Sequence, residues 1–331
     1  VLNSIYCIKT VVQQYKETKI CNIILGGNKM ECVLRTTGLS KKFSKKLAVN
    51  SVSMCVEKGD IYGFIGKNGA GKTTLIRMAV GLAAPTEGSI ELFGSTNLTV
   101  NREKVGTVIE YPAIYPNMTA KDNLTVQCKL QTVDTNVIEG ILDLVGLSDT
   151  GKKKAKNFSL GMKQRLAIAT SLVGDPEFLI LDEPTNGLDP EGIKEIRVLI
   201  QKLNQERKIT VLISSHILGE LSKLATRYGI IHNGQLIEEF TEEELRERCK
   251  SGIVINVHKD DVEKCTAILR EELKTTNFKI GVDGVIHLYD FVEQTGMVNQ
   301  VLAKNDIIVN SISADESDLE DYFLKVIGGR K

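Results

Sequence analysis

The sequence predicts an α/β fold built on a parallel sheet, followed by a small α+β domain. A short apolar run, Ile61-Tyr62-Gly63-Phe64-Ile65, leads through a glycine-rich stretch into the helical pattern Thr74-Leu75-Ile76-Arg77-Met78. Two further apolar runs, Phe178-Leu179-Ile180-Leu181 and Thr210-Val211-Leu212-Ile213, each end in polar residues. Central parallel strands, buried on both faces, read this way, and open α/β sheets bind ligands at their carboxyl ends. From Ile253 onward the rhythm changes to strand, helix, strand, strand, helix, strand, which is the ferredoxin-like order.

The glycine-rich stretch Gly66-Lys67-Asn68-Gly69-Ala70-Gly71-Lys72-Thr73 has the form G-x-x-x-x-G-K-[ST] between a strand and a helix, the context a phosphate loop requires. Gly66, Gly69 and Gly71 let the backbone turn tightly and aim N–H donors inward, and the following helix presents its positive dipole end. The residues Gly66, Asn68, Gly69, Ala70, Gly71, Lys72, Thr73 and Thr74 are therefore expected to bind ATP. Lys72 can reach the β- and γ-phosphates, and the Thr73 hydroxyl suits Mg²⁺, a hard ion that prefers oxygen. A glycine-rich turn that only imitates such a loop is disfavoured by the strand before it and the helix after it.

Asp182 and Glu183 follow the run Phe178–Leu181. Asp182 is expected to hold the metal, directly or through water, and Glu183 to take a proton from the attacking water. Alone, an acidic pair after a strand is as often a loop start. His216, alone among the histidines, lies between a buried strand pattern and a helix.

From about Val33 to about Glu243 the chain resembles the nucleotide-binding subunits of ATP-binding cassette (ABC) transporters. The resemblance rests on the phosphate loop, the stretch Phe158-Ser159-Leu160-Gly161-Met162-Lys163-Gln164, the Asp182-Glu183 strand and Ser214-Ser215-His216, in that order. It implies a P-loop NTPase fold, with a RecA-like core, an antiparallel β lobe and a helical lobe over about Tyr111–Leu172 that reaches towards a permease. It also implies that Ser159 and the backbone of Gly161 face ATP bound to a second subunit, so the active form is a homodimer sharing two ATP. Asn186-Gly187-Leu188-Asp189 resembles the loop that crosses this interface, with Asp189 near ATP, and His216 resembles the switch histidine that senses γ-phosphate. Phe43 occupies the position of the adenine-stacking aromatic. Its polar and charged neighbours favour an exposed ring over a core one.

Two positions depart from the usual pattern. Leu160 and Met162 stand where the signature has glycine and glutamine. Glu110 stands where most members carry a glutamine that couples the nucleotide to the permease. An ionised glutamate accepts hydrogen bonds and binds Mg²⁺ but cannot donate, so Glu110 is expected both in the catalytic set and, with Thr73 and Asp182, in the metal set. Glu110 together with Ser159–Gln164 resembles the subgroup that exports bacitracin and lantibiotics; drift between similar side chains is the competing reading.

Composition sets bounds on these expectations. Among 331 residues, 42 basic and 42 acidic side chains cancel, and nothing points to nucleic acid. The basic run Lys152-Lys153-Lys154 with Lys156 reads as a solvated loop. Cys7, Cys21, Cys32, Cys55, Cys128, Cys249 and Cys265 have no C-x-x-C spacing, which suits reduced thiols in a cytosol and disfavours structural zinc. No apolar run approaches the ~18 residues of a membrane span, so a pore is expected on a separate permease chain, with this protein cytoplasmic and peripheral on the inner face of the membrane. The exporter reading competes with a generic multidrug or ion exporter, with a soluble cassette ATPase of translation or repair, and with a binding module that does not hydrolyse. Intact Lys72, Asp182, Glu183 and His216 disfavour the last.

The expected domains are a leader over 1–29, a nucleotide-binding domain over 30–245 and an accessory ferredoxin-like domain over 246–331. Leu25-Gly26-Gly27-Asn28-Lys29-Met30 can be back-translated as a purine-rich ribosome-binding sequence ahead of ATG. The first 29 residues are accordingly expected to be upstream sequence without a fixed place in the fold. In the last domain, strands are expected at Ile253–Val257, Phe278–Ile280, Val285–Leu288 and Ile307–Val309, with a turn at Asp283-Gly284. Helices are expected at Asp261–Leu273, Gln294–Ala303 and around Leu319–Ile327. An interaction or regulatory role suits this domain better than a second active site.

Overall fold

The computed structural model describes residues 31–44, 46–110, 112–248, 252–281, 284–292 and 294–315. The leader expectation, Asp283 of the expected turn and the helix expected around Leu319–Ile327 lie outside the described residues.

β1 (Cys32–Phe43) and β2 (Lys46–Glu57) pair antiparallel, and their Val33, Leu34, Val49, Val52, Met54 and Val56 are buried. β3 (Ile61–Ile65) is buried at every residue and runs through the glycine-rich loop into α1 (Lys72–Ala79). β4 (Glu87–Leu92) returns to the free side of β1, giving a three-stranded sheet in the order β2-β1-β4. Cys32 and Cys55 are joined across β1 and β2 as a disulfide, with Cα atoms 6.0 Å apart. The reading of every cysteine as an unpaired thiol is corrected for these two: the antiparallel register sets Arg35 opposite Cys55 and Cys32 opposite Glu57, within bridging reach.

After α2 (Leu98–Asn101) and β5 (Val105–Val108) come three helices, α3 (Ala120–Gln131), α4 (Val137–Leu144) and α5 (Leu160–Ser171). α3 opens with a reciprocal cap, in which Asp122 N donates to Thr119 Oγ1 and Thr119 N to Asp122 Oδ2, both at 3.1 Å. β6 (Phe178–Asp182), α6 (Pro190–Arg207), β7 (Thr210–Ser215), α7 (Leu218–Leu221), β8 (Arg227–His232), β9 (Gln235–Thr241) and α8 (Glu242–Arg248) follow. Together with β3 and β5 these strands form a six-stranded sheet, β5-β6-β7-β3-β8-β9. It is parallel up to β8, and β9 is antiparallel. The parallel sheet expected from the sequence therefore ends at β8. The cause is a two-residue turn with Asn233 at φ 48° and Gly234 at φ 79°, which closes a hairpin and leaves no room for a crossover.

The period of β6 distributes its side chains between two apolar layers. Leu179 and Leu181 join Leu124, Leu166 and Val211 on the helical side, while Phe178 and Ile180 join Phe64, Leu75 and Val52.

The last described unit contains β10 (Gly252–Val257), α9 (Val262–Glu271), β11 (Phe278–Ile280), β12 (Ile286–Leu288), α10 (Thr295–Lys304) and β13 (Val309–Asp315). Its antiparallel sheet has the order β11-β12-β10-β13, two interleaved β-α-β units. Ile253, Ile255, Leu269 and Leu302 form its core with Cys265, whose thiol pKa is pushed by burial up to about 11. The final strand begins later than the sequence suggests. Asp306 has φ 58° and Ile307 N donates to Leu302 O at 3.1 Å, so Ile307 closes the end of α10 before the ladder starts.

A buried polar contact joins the centre of the large sheet to its edge. Tyr62 Oη on β3 donates to Glu239 Oε1 on β9 at 2.6 Å. Burial, offset in part by that hydrogen bond, raises the Glu239 pKa above its ordinary value. The folded protein therefore takes up this proton more readily than the unfolded chain. Its contribution is fully present below the ordinary carboxyl range and is lost as pH rises through the raised folded value. Glu239→Gln keeps an acceptor for Tyr62 without the charge. Its thermal midpoint should exceed the parent's at pH 8, and the gap should shrink towards pH 4; a gap independent of pH would exclude this account.

Candidate functional site

The glycine-rich loop is shaped by its scaffold as well as by its sequence. Gly71, at the N-cap of α1, has φ 113°, and a Cβ there would sit 2.6 Å from the carbonyl oxygen of Ala48 on β2. Only glycine satisfies both constraints. Gly69 has φ 80° but faces open space, with no heavy atom within 4 Å of where a Cβ would stand. Gly66 N reaches Ser215 O at 3.4 Å, tying the loop to the end of β7. The Ala70 methyl is buried, its N–H donates to Lys67 O at 3.0 Å, and its carbonyl accepts from Gly234 N at 2.8 Å. Lys72 Nζ folds back over the loop and donates to Gly66 O at 2.5 Å and Lys67 O at 3.4 Å.

Three carboxyl ends of the large sheet converge on this loop. Asp182 is 1% exposed; its Oδ2 accepts from Thr73 Oγ1 at 2.8 Å and its Oδ1 from Ser214 Oγ at 2.6 Å. Ser214 Oγ in turn accepts from Glu183 N at 2.9 Å. Glu183 has φ 50°, a sparsely populated conformation for a non-glycine residue, and that turn swings its carboxylate away from the Asp182 direction. Glu183 Oε1 lies 3.0 Å from Lys72 Nζ as a charge contact, and Oε2 lies 2.6 Å from His216 Nδ1. One carboxylate thus spans the loop lysine and the histidine after β7.

Phe43, Asn68, Gly69, Gly71, Lys72, Thr73, Thr74 and Glu183 line one cleft, with Lys46 and Ala48 beside them. Phe43 is 51% exposed and carries the Lys41 ammonium 5.1 Å from its ring centre. Ser159, Gly161 and Asp189 line a different cleft, with Gly187 and Leu188. Both polar residues are helix caps: Ser159 Oγ accepts from Met162 N at 3.2 Å and Asp189 Oδ1 from Gly192 N at 3.0 Å. Within one chain the two groups are therefore not brought together. Glu110 follows β5 at φ 58°, and its Oε1 accepts from Arg77 Nη2 at 2.7 Å; it does not line the loop cleft.

Sequence reasoning missed Lys46, Ala48 and Arg77, and it used Ser214 within Ser214-Ser215-His216 without giving it a role. Serine at the end of an apolar strand, directly before a histidine motif, was the available signal for Ser214; the others carry none. Ser214→Ala strips a buried donor from Asp182 and an acceptor from Glu183 N, which should cost about 1–3 kcal/mol. Urea unfolding measures this, and an unchanged midpoint would show that water or a neighbour replaces the hydroxyl.

A profile of the family described as ABC transporter matches residues 49–186. The chain is 43% identical over 304 residues to the bacitracin transport ATP-binding protein BcrA of Bacillus licheniformis, covering 91% of this chain and 99% of that protein. It is 44% identical over 207 residues to the lantibiotic transport ATP-binding protein SrtF of Streptococcus pyogenes, covering 62% of this chain and 90% of that protein. Among solved structures it is similar to an ATP-binding subunit of an ABC transporter, at 27% identity and a TM-score of 0.57, over 65% of this chain and 92% of the other. A second, the ADP conformation of an ATP-binding cassette of an ABC transporter, matches at 26% identity and a TM-score of 0.60, over 67% of this chain and 95% of the other.

Proposed function

Because the chain belongs to the ABC transporter family and is an ATPase subunit of that family, we propose that it dimerises around two ATP and drives a separate permease that exports an antimicrobial peptide. The observation that carries the hydrolytic part is Glu183, held between Lys72 and His216 beside the Thr73–Asp182 pair. The loop N–H groups and Lys72 bind the phosphates, and the Phe43 ring stacks on adenine. Thr73 and Asp182 present adjacent oxygens, a donor set that fits Mg²⁺. Bound there, the ion would neutralise phosphate charge and orient the γ-phosphoryl group. Glu183 takes a proton from the attacking water, and His216 fixes the direction of that carboxylate. Glu110 acts at the edge of this site, where its charge sets the coupling between nucleotide and permease.

Dimerisation is supported by the separation of the two clefts. Ser159, Gly161 and Asp189 lie apart from the loop within a chain, so they serve a nucleotide held by a second copy. A separate permease is supported by the finding that no helix among the described residues is long and apolar enough to cross a membrane. Attachment is then peripheral, on the cytoplasmic face. The peptide cargo is supported by likeness to bacitracin and lantibiotic transport proteins.

Glu183→Gln should bind Mg-ATP, hydrolyse it at least about a hundredfold more slowly and persist as an ATP-dependent dimer. Lys72→Ala should lose nucleotide affinity first. Turnover of the Gln variant equal to the parent's would remove Glu183 from the base role. Cells carrying the matched permease should survive bacitracin or a lantibiotic only with the parent protein; equal sensitivity with and without it returns the cargo to a generic exporter.

A further inference from the structure

Arg77 lies one turn beyond Thr73 on α1, so the two side chains share a helix face. That face meets the ends of two neighbouring strands. Thr73 Oγ1 donates to Asp182 Oδ2 at 2.8 Å, and Arg77 Nη2 donates to Glu110 Oε1 at 2.7 Å. β5 and β6 are in register at Val108 and Leu181, so Asp182 follows that rung by one residue and Glu110 by two. The left-handed backbone of Glu110, φ 58°, turns the chain at the strand end. Arg77 is itself anchored, since its carbonyl accepts from Leu82 N at 2.8 Å and Ala83 N at 3.1 Å.

The charge logic follows from this geometry. A carboxylate at the edge of a phosphate site repels the ligand it serves, whereas a glutamine at the same position brings no charge. With side chains 45% and 47% exposed, the pair adds little to stability, so its effect lies in charge and orientation. We propose that Arg77 is a positioning residue for Glu110: it offsets the glutamate's charge beside the nucleotide and fixes the direction of the second carboxylate oxygen. This rests on the reading of Glu110 as part of the active site.

The consequence is a specific dependence between two substitutions. Steady-state hydrolysis by the full chain, with ATP titrated, would be compared for the parent, Arg77→Gln, Glu110→Gln and the double variant. Arg77→Gln should lower kcat/KM by about tenfold, and Arg77→Lys, which restores the charge, should recover most of it. In the Glu110→Gln background the same Arg77→Gln change should alter kcat/KM by less than about twofold. An equal loss in both backgrounds, or no loss in either, would overturn the proposal, because an ordinary helical role does not depend on the charge at Glu110. If Arg77→Gln fails to fold, Arg77→Met, which keeps the straight stem, carries the same comparison. The outcomes separate the proposal from the reading beneath it. Glu110→Gln matching the parent, while still cancelling the Arg77→Gln loss, would retain the pairing and remove the coupling role of Glu110. Glu110→Gln altering turnover, with an Arg77→Gln loss that persists unchanged, would remove Arg77 alone.

Discussion

The Ser214 hydroxyl, donating to Asp182 and accepting from the Glu183 amide, is the contact on which the site depends. It ties β7 to β6 at the point where two consecutive acidic residues must point in different directions. The N–H of the left-handed Glu183 donates to this hydroxyl and also to Ser214 O at 3.2 Å, so the side chain and the backbone of Ser214 together hold the turn. With it, Asp182 faces the loop threonine while Glu183 reaches the lysine and histidine. The chemistry of the site therefore derives from a hydrogen bond that never touches a ligand in its own right.

The large sheet supplies the rigidity that makes such a contact useful. β6 is buried on both faces and sends alternate side chains into separate apolar layers, so neither layer can shift without disturbing the other. Close packing of this sort resists small displacements. The loop rests on it through Gly66 and Ser215 on one side and through Ala70 and Gly234 on the other. Strand ends held this firmly allow side chains from three neighbouring strands to converge.

Much of this was legible in the amino-acid pattern, and for identifiable reasons. The central strands are apolar throughout, and the phosphate loop has a spacing that few other structures need, so Lys72, Thr73, Asp182 and Glu183 could be assigned to one end of a sheet. Phe43 stood out because its neighbours are charged. Features set by a single turn were less visible. The hairpin at Asn233-Gly234 reverses the edge strand although Gln235–Thr241 reads like any other strand, and the left-handed Asp306 delays the last strand. Pairings between distant segments, such as Cys32 with Cys55 or Arg77 with Glu110, depend on register and leave no local mark. The separation of the Ser159 cleft from the loop cleft also leaves no local mark; only the resemblance, which sets Ser159 and Gly161 against ATP on a second subunit, implies it.

Gly69 and Gly71, two residues apart in one loop, differ in what confines them. Gly71 is hemmed in by Ala48 of the protein's own β2, whereas Gly69 opens onto the cleft. Both hold a positive φ that a side chain would strain, 113° at Gly71 and 80° at Gly69; at Gly71 a side chain would also collide with the scaffold, while at Gly69 it would enter the cleft. Their mutational signatures should diverge accordingly: both substitutions cost stability through φ, with the larger loss of expression and solubility at Gly71, whereas Gly69 adds a loss of ligand beyond its loss of stability. A library scored by activity alone would merge two constraints, a collision within the fold at Gly71 and an obstruction of the cleft at Gly69.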